Sequence, residues 1–99
     1  MSFEEHVRRA LDRLPDDLAR GLRNVAVVVE DENPAEPDLF GLFEEEPYLP
    51  SKVTIHRLPL EESFPDPDEL EHEIRITVLH ELAHYFGLDE ERLAELGYE

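Results

Sequence analysis

Residues 80–84 read His-Glu-Leu-Ala-His. On a helix, residues four apart lie one turn from each other and about 40° round the axis. Two imidazoles so placed can share one zinc ion at Zn–N distances of roughly 2.0–2.1 Å. Glu81 lies about 100° round from His80. That offset keeps its carboxylate off the ligand stripe and within reach of a zinc-bound water, where a general base belongs. The chemistry expected of His80, Glu81 and His84 is hydrolysis by an activated water.

A catalytic zinc takes three protein ligands and keeps a fourth position open. Candidates for the third are Glu90, Asp89, His56 and His72. Glu90 follows His84 by six residues, and Gly87 between them can end the helix and turn the chain back. Asp89 is the alternative third ligand, although it also suits the N-cap of a last short helix. His72 precedes His80 by two turns, ~12 Å along the axis, too far for the same ion. His56 reads more naturally as decoration on a strand, and His6 as a polar-side residue of the first helix with no role. Tyr48, Tyr85 and Tyr98 are the phenols that could stabilise an oxyanion.

A long helix must carry this trio. Asp66 is its expected N-cap, with Pro67 in the first position and Glu69 completing a capping box. The helix is expected over 67–86, with Gly87 as its stop. Ile74, Ile76, Val78, Leu79, Leu82, Ala83, Tyr85 and Phe86 cover most of its circumference, so it should be buried. The exception is a polar stripe of Glu73, Thr77, His80 and His84, which should line a cleft.

The other elements follow from periodicity and turn residues. Phe3, Val7, Ala10, Leu11 and Leu14 share a helical face behind the N-cap Ser2. Pro15 interrupts this helix and is expected to open a second, with the acids after it in its first turn. The run 25–30, Val-Ala-Val-Val-Val-Glu, reads as a strand buried on both faces and therefore interior. Segment 31–50 holds four prolines and many acids, so most of it should be loop. Inside it the apolar stretch 39–43 reads as a short hairpin strand, a flap over a cleft, or a plug beneath the loop. Residues 52–58 alternate and read as a second strand, near an edge with one face partly exposed. Residues 1–99 are expected to form one domain.

Composition narrows the function. The net charge of −17 disfavours nucleic acid and anionic membranes, and its sharper reading is a preference for basic peptides or cations. The chain has no cysteine, so any metal must be held by His, Asp or Glu. Without a spanning run or a signal-peptide core, a cytoplasmic location is expected. Oligomeric state is not legible at this level.

Together, the stretch HELAHYFGLDEERLAEL and the preceding YLPSKVTIHRLPLE resemble the bacterial zincin-like metallopeptidase family, minimal single-domain proteins with a pattern like HExxHxxGxxD. The resemblance implies an α+β, minimal zincin-like fold: a small mixed β-sheet packed on a long active-site helix, with flanking N- and C-terminal helices. It implies Zn2+ held by His80, His84 and Glu90, with Glu81 as catalytic base. This chain has Glu90 where the pattern shows Asp, and Asp89 stands immediately before it. It also implies peptide or protein substrates cleaved by a zinc-bound water. The larger metzincin group is a poorer match, since its third histidine and methionine turn are missing. The competing function is a non-catalytic zinc-binding module that offers its acidic face to a basic partner.

Overall fold

The computed structural model describes residues 1–86 and 90–95, apart from the side chains of residues 17, 84–86, 90 and 93. Helix α1 (Phe3–Asp12) begins where Ser2 Oγ accepts the Glu5 backbone N–H at 3.2 Å. Of the expected face, Phe3, Val7 and Ala10 are buried within the helix and Leu14 just beyond it, while Leu11 is half-buried. Pro15 is the N-cap of α2 (Asp16–Gly21) and not its first helical residue. A 3-10 turn, Leu22–Asn24, leads into the sheet.

Three strands form a mixed sheet in the order β1-β3-β2. β1 (Val25–Glu30) runs parallel to β3 (Leu49–His56), and β2 (Gly41–Glu46) runs antiparallel to it. Two expectations are thereby exchanged. The β-branched run is an edge strand, with Ala26 and Glu30 exposed and Val27, Val28 and Val29 half-buried. The alternating segment is the central strand, and Val53, Thr54, Ile55 and His56 are all buried. A central strand is shielded by neighbours on both sides, so even its polar face loses water. β-Branching favours a pleated surface wherever it lies in the sheet.

β3 also starts earlier than residue 52 and stops at His56. Arg57 opens an unexpected helix, α3 (Arg57–Ser63). Pro59 sits in its first turn, where a missing N–H leaves no intrahelical bond unmade. Arg57 donates to Asp31 Oδ1 at 2.9 Å and to Glu61 Oε1 at 2.6 Å. Those hydrogen bonds push its pKa further up. The three roles open to 39–43 are shared out: Gly41 onward enters β2, Phe40 and Phe43 pack against the core, and Phe40 meets Phe64 edge-on at 5.8 Å between centroids.

α4 (Pro67–Phe86) has the expected bounds, and Glu69 N–H donates to Asp66 Oδ2 at 3.0 Å. Its core face, Leu70, Ile74, Val78 and Leu82, packs with Val53 and Ile55 of the sheet and with Phe3, Val7 and Ala10 of α1. Leu79 joins Leu14 and Leu18 in a second cluster that ties α2 to the same helix. The architecture is α+β, a small mixed sheet packed on α4, with helices at both ends of the chain; the last is α5 (Glu90–Glu95).

His6 departs from its expected place on the polar side of α1. It is buried, and its Nδ1 lies 2.5 Å from Oε2 of buried Glu71 on α4. Arg9 Nε reaches the other oxygen at 3.5 Å. Histidine at that position joins the apolar stripe through Phe3, Ala10 and Val7, and the signal for its partner was a lone acid, Glu71, on the apolar side of α4.

Candidate metal centre and peptide cleft

Glu73, Thr77 and His80 of the polar stripe of α4 border an open cleft of about 420 Å3. One wall is α4, through Glu73, Ile76, Thr77, His80 and Glu81. The other is the chain entering β2, through Asp38, Leu39, Phe40 and Gly41. His80 is exposed and Glu81 half-buried. Among the described residues, every charged side chain of this lining is acidic.

Gly41 explains how a strand comes so close to the helix. A Cβ there would lie 2.6 Å from Thr77 Cγ2, and 3.3 Å from both Glu81 Cγ and the Thr54 carbonyl oxygen. Only a residue without a side chain lets β2 rest on the turn of α4 that carries Glu81. Gly41→Ala is expected to destabilise the fold by about 1–3 kcal/mol, the cost of overpacking. Thr77 is buried, so its methyl cannot simply swing away. Adding Thr77→Ser deletes that methyl and should recover most of the loss. Thermal unfolding of the single and double variants tests this; a double variant no better than Gly41→Ala sinks the close-packing account.

The candidate ligands divide as follows. α4 is helical through Phe86, so position 84 stands one turn beyond His80 on a continuous helix. The His84 side chain lies outside the described residues, as do all of Gly87, the expected helix stop, and all of Asp89. Glu90 begins α5, and its side chain is likewise outside them. Among the described residues, no three His, Cys, Asp or Glu side chains form a metal-binding group. Two histidines one turn apart, with one of them open to a cleft, are nonetheless a donor pair that zinc accepts.

The competing histidines are placed elsewhere. His56 is buried at the end of β3 and lines no part of the cleft; its Nδ1 has no hydrogen-bond partner among the described residues. His72 is exposed and borders a separate hollow beside Phe64, Asp68 and Glu69. Of the phenols, Tyr48 is 97% exposed at the β2–β3 turn, and β2 carries the chain roughly 17 Å from Gly41 before reaching it. Tyr85 and Tyr98 lie outside the described side chains. No helix among the described residues is long and apolar enough to cross a membrane.

The family profile described as zincin-like metallopeptidase matches residues 22–98. No curated protein matches the chain. The profile begins after α2, yet α1 shares one hydrophobic core with α4 and the sheet.

Proposed function

Because the chain belongs to the zincin-like metallopeptidases, we propose that residues 1–99 act as one zinc-dependent peptidase domain in the cytoplasm. The observation that carries this is the joint placement of His80 and Glu81 on the wall of a cleft whose opposite wall leads into a free sheet edge. His80 and His84 hold Zn2+, and Glu90, or Asp89 in its place, completes the set. Bound there, zinc would supply Lewis acidity toward a peptide carbonyl and toward the attacking water.

Glu81 does the proton work. It accepts a proton from the attacking water and returns it to the departing amine. Substrate binding falls to β2. β3 is paired on both sides, so of the two stretches that could receive a peptide strand only the start of β2 borders the cleft. An extended peptide laid against that edge gains main-chain hydrogen bonds. Asp38, Glu73 and Glu81 favour basic side chains in it.

Zinc content after purification with zinc present tests the metal, and a peptide-library digest tests the activity. About one zinc per chain is expected, lost in His80→Ala, since a site missing one of three ligands binds far more weakly. Zinc retained with no cleavage of any library would favour the non-catalytic binding module.

A further inference from the structure

The sheet has two outer edges, and they are built differently. β2 ends in Glu44, Glu45 and Glu46, with a register irregularity between the first and last. Charges and bulges are how proteins keep an edge from pairing. β1 is the other edge, and it presents Val25, Ala26, Val27, Val28 and Val29 in succession. It has no lysine or proline, and its register with β3 is unbroken. Beside it runs a groove of about 510 Å3 lined by Val7, Leu11, Val27 and Val29 together with Glu4, Arg8 and Asp12 of α1.

We propose that this edge is an interface with a second copy of the chain: β1 pairs with β1 antiparallel across a twofold axis, giving one six-stranded sheet. The charges at the two ends of the strand are complementary to those of a second copy laid antiparallel, and this local match works against the general repulsion of two chains carrying −17 each. Exposed Arg23 precedes β1, while Glu30, Asp31 and Glu32, also exposed, close it and follow it. Antiparallel pairing sets the basic start of each strand against the acidic end of the other, twice per dimer. Parallel pairing would set acid on acid.

The register follows from the pleat. Alternate side chains share a face, and Val25, Val27 and Val29 belong to the face packed with the helices. The twofold axis must therefore pass through a residue and not between two. Centred on Val27, it puts Val25 opposite Val29 and Arg23 opposite Asp31. Asp31 also receives Arg57, but its side chain is 69% exposed and so remains reachable. An axis perpendicular to the sheet keeps both α1 helices on the same side, where the two grooves face each other. The clefts beside β2 stay at opposite outer ends, so this pairing stands apart from the peptidase proposal.

Light scattering on the full chain tests the assembly. The expected mass is twice the 11.5 kDa of the chain, and a monomer at every concentration up to the millimolar range overturns the proposal. Because the chain has no cysteine, single replacements report register. Val27→Cys, on the axis, is expected to link to itself under diamide, and Glu45→Cys on the other edge is not. Linking at 45 without linking at 27 overturns the proposal. Arg23→Glu, at an exposed position that leaves the fold intact, is expected to weaken the dimer about ten-fold, two charge pairs being reversed together. An unchanged dissociation constant there overturns the antiparallel register.

Discussion

Glu81→Gln is expected to keep the protein's zinc and lose about 10²- to 10⁴-fold in kcat/KM on any peptide it cleaves. Glutamine preserves the shape of the side chain, and shape matters here. Glu81 Cγ is one of the atoms against which Gly41 is packed, so truncation to alanine would also loosen the contact between α4 and β2. What glutamine removes is basicity alone. Parallel measurements of bound zinc and kcat/KM separate the outcomes. Full cleavage in the variant would show that another group takes the proton. Loss of zinc along with activity would make Glu81 a ligand or a scaffold residue.

Glu71→Ala is expected to cost about 3–5 kcal/mol, a large share of what holds so small a protein together. The variant leaves His6 buried on α1 without its hydrogen-bond partner and Arg9 without its ion pair. Replacing both His6 and Glu71 by leucine should be far milder than either single truncation, since an apolar pair needs no solvation. Urea denaturation of the three chains decides it, and a double variant as unstable as the single would mean that α1 is held by other contacts.

The same pair gives a pH dependence. The hydrogen bond with His6, and secondarily the nearby charge of Arg9, hold the Glu71 carboxyl below its ordinary pKa of 4.5. Between the unfolded and folded values the unfolded chain binds more protons, so stability rises with pH there. The contribution is present above about pH 4.5 and is lost as pH falls through the lowered value. Neutralising other carboxylates relieves the repulsion of a chain carrying −17 and acts in the opposite direction. The informative quantity is therefore the difference between wild type and Glu71→Gln, which should shrink on acidification. A constant difference from pH 7 to pH 3 would contradict the lowered pKa.

What could be read from residues alone depended on whether the signal was local. α4 was legible to the residue because its cap is covalently adjacent to it: Asp66, Pro67 and Glu69 fix the start whatever the rest of the chain does. Ser2 and the stripe behind it did the same for α1. The cleft was legible because Glu73, Thr77 and His80 recur at helical spacing as one polar stripe. Strand order was not. Whether a strand lies at the centre or the edge depends on what pairs beside it, and Val25–Val29 carry the same side chains in either place. α3 was hidden because proline reads as a breaker unless its position in the first turn is known. His6 and Glu71 are 65 positions apart, so each looked unremarkable until α1 and α4 met. Gly41 was one glycine in a mixed stretch; its meaning lies in atoms of Thr77 and Glu81.

The sheet order also sets a schedule for the growing chain. β2 and β3 are joined by two residues, so their pairing is available almost as soon as residue 56 exists. β1 has no such neighbour. Its partner residues run from Ser51 to His56, and in synthesis the most apolar strand emerges some two dozen residues before anything can pair with it. During that interval the residues that follow it are Asp31, Glu32, Asn33, Pro34, Ala35, Glu36, Pro37 and Asp38. Each proline lacks the N–H that a ladder bond needs, and the charge of the acids keeps nascent chains apart. The loop that looks like mere connection is thus an escort, keeping a β-prone segment soluble until its partner strand has been made.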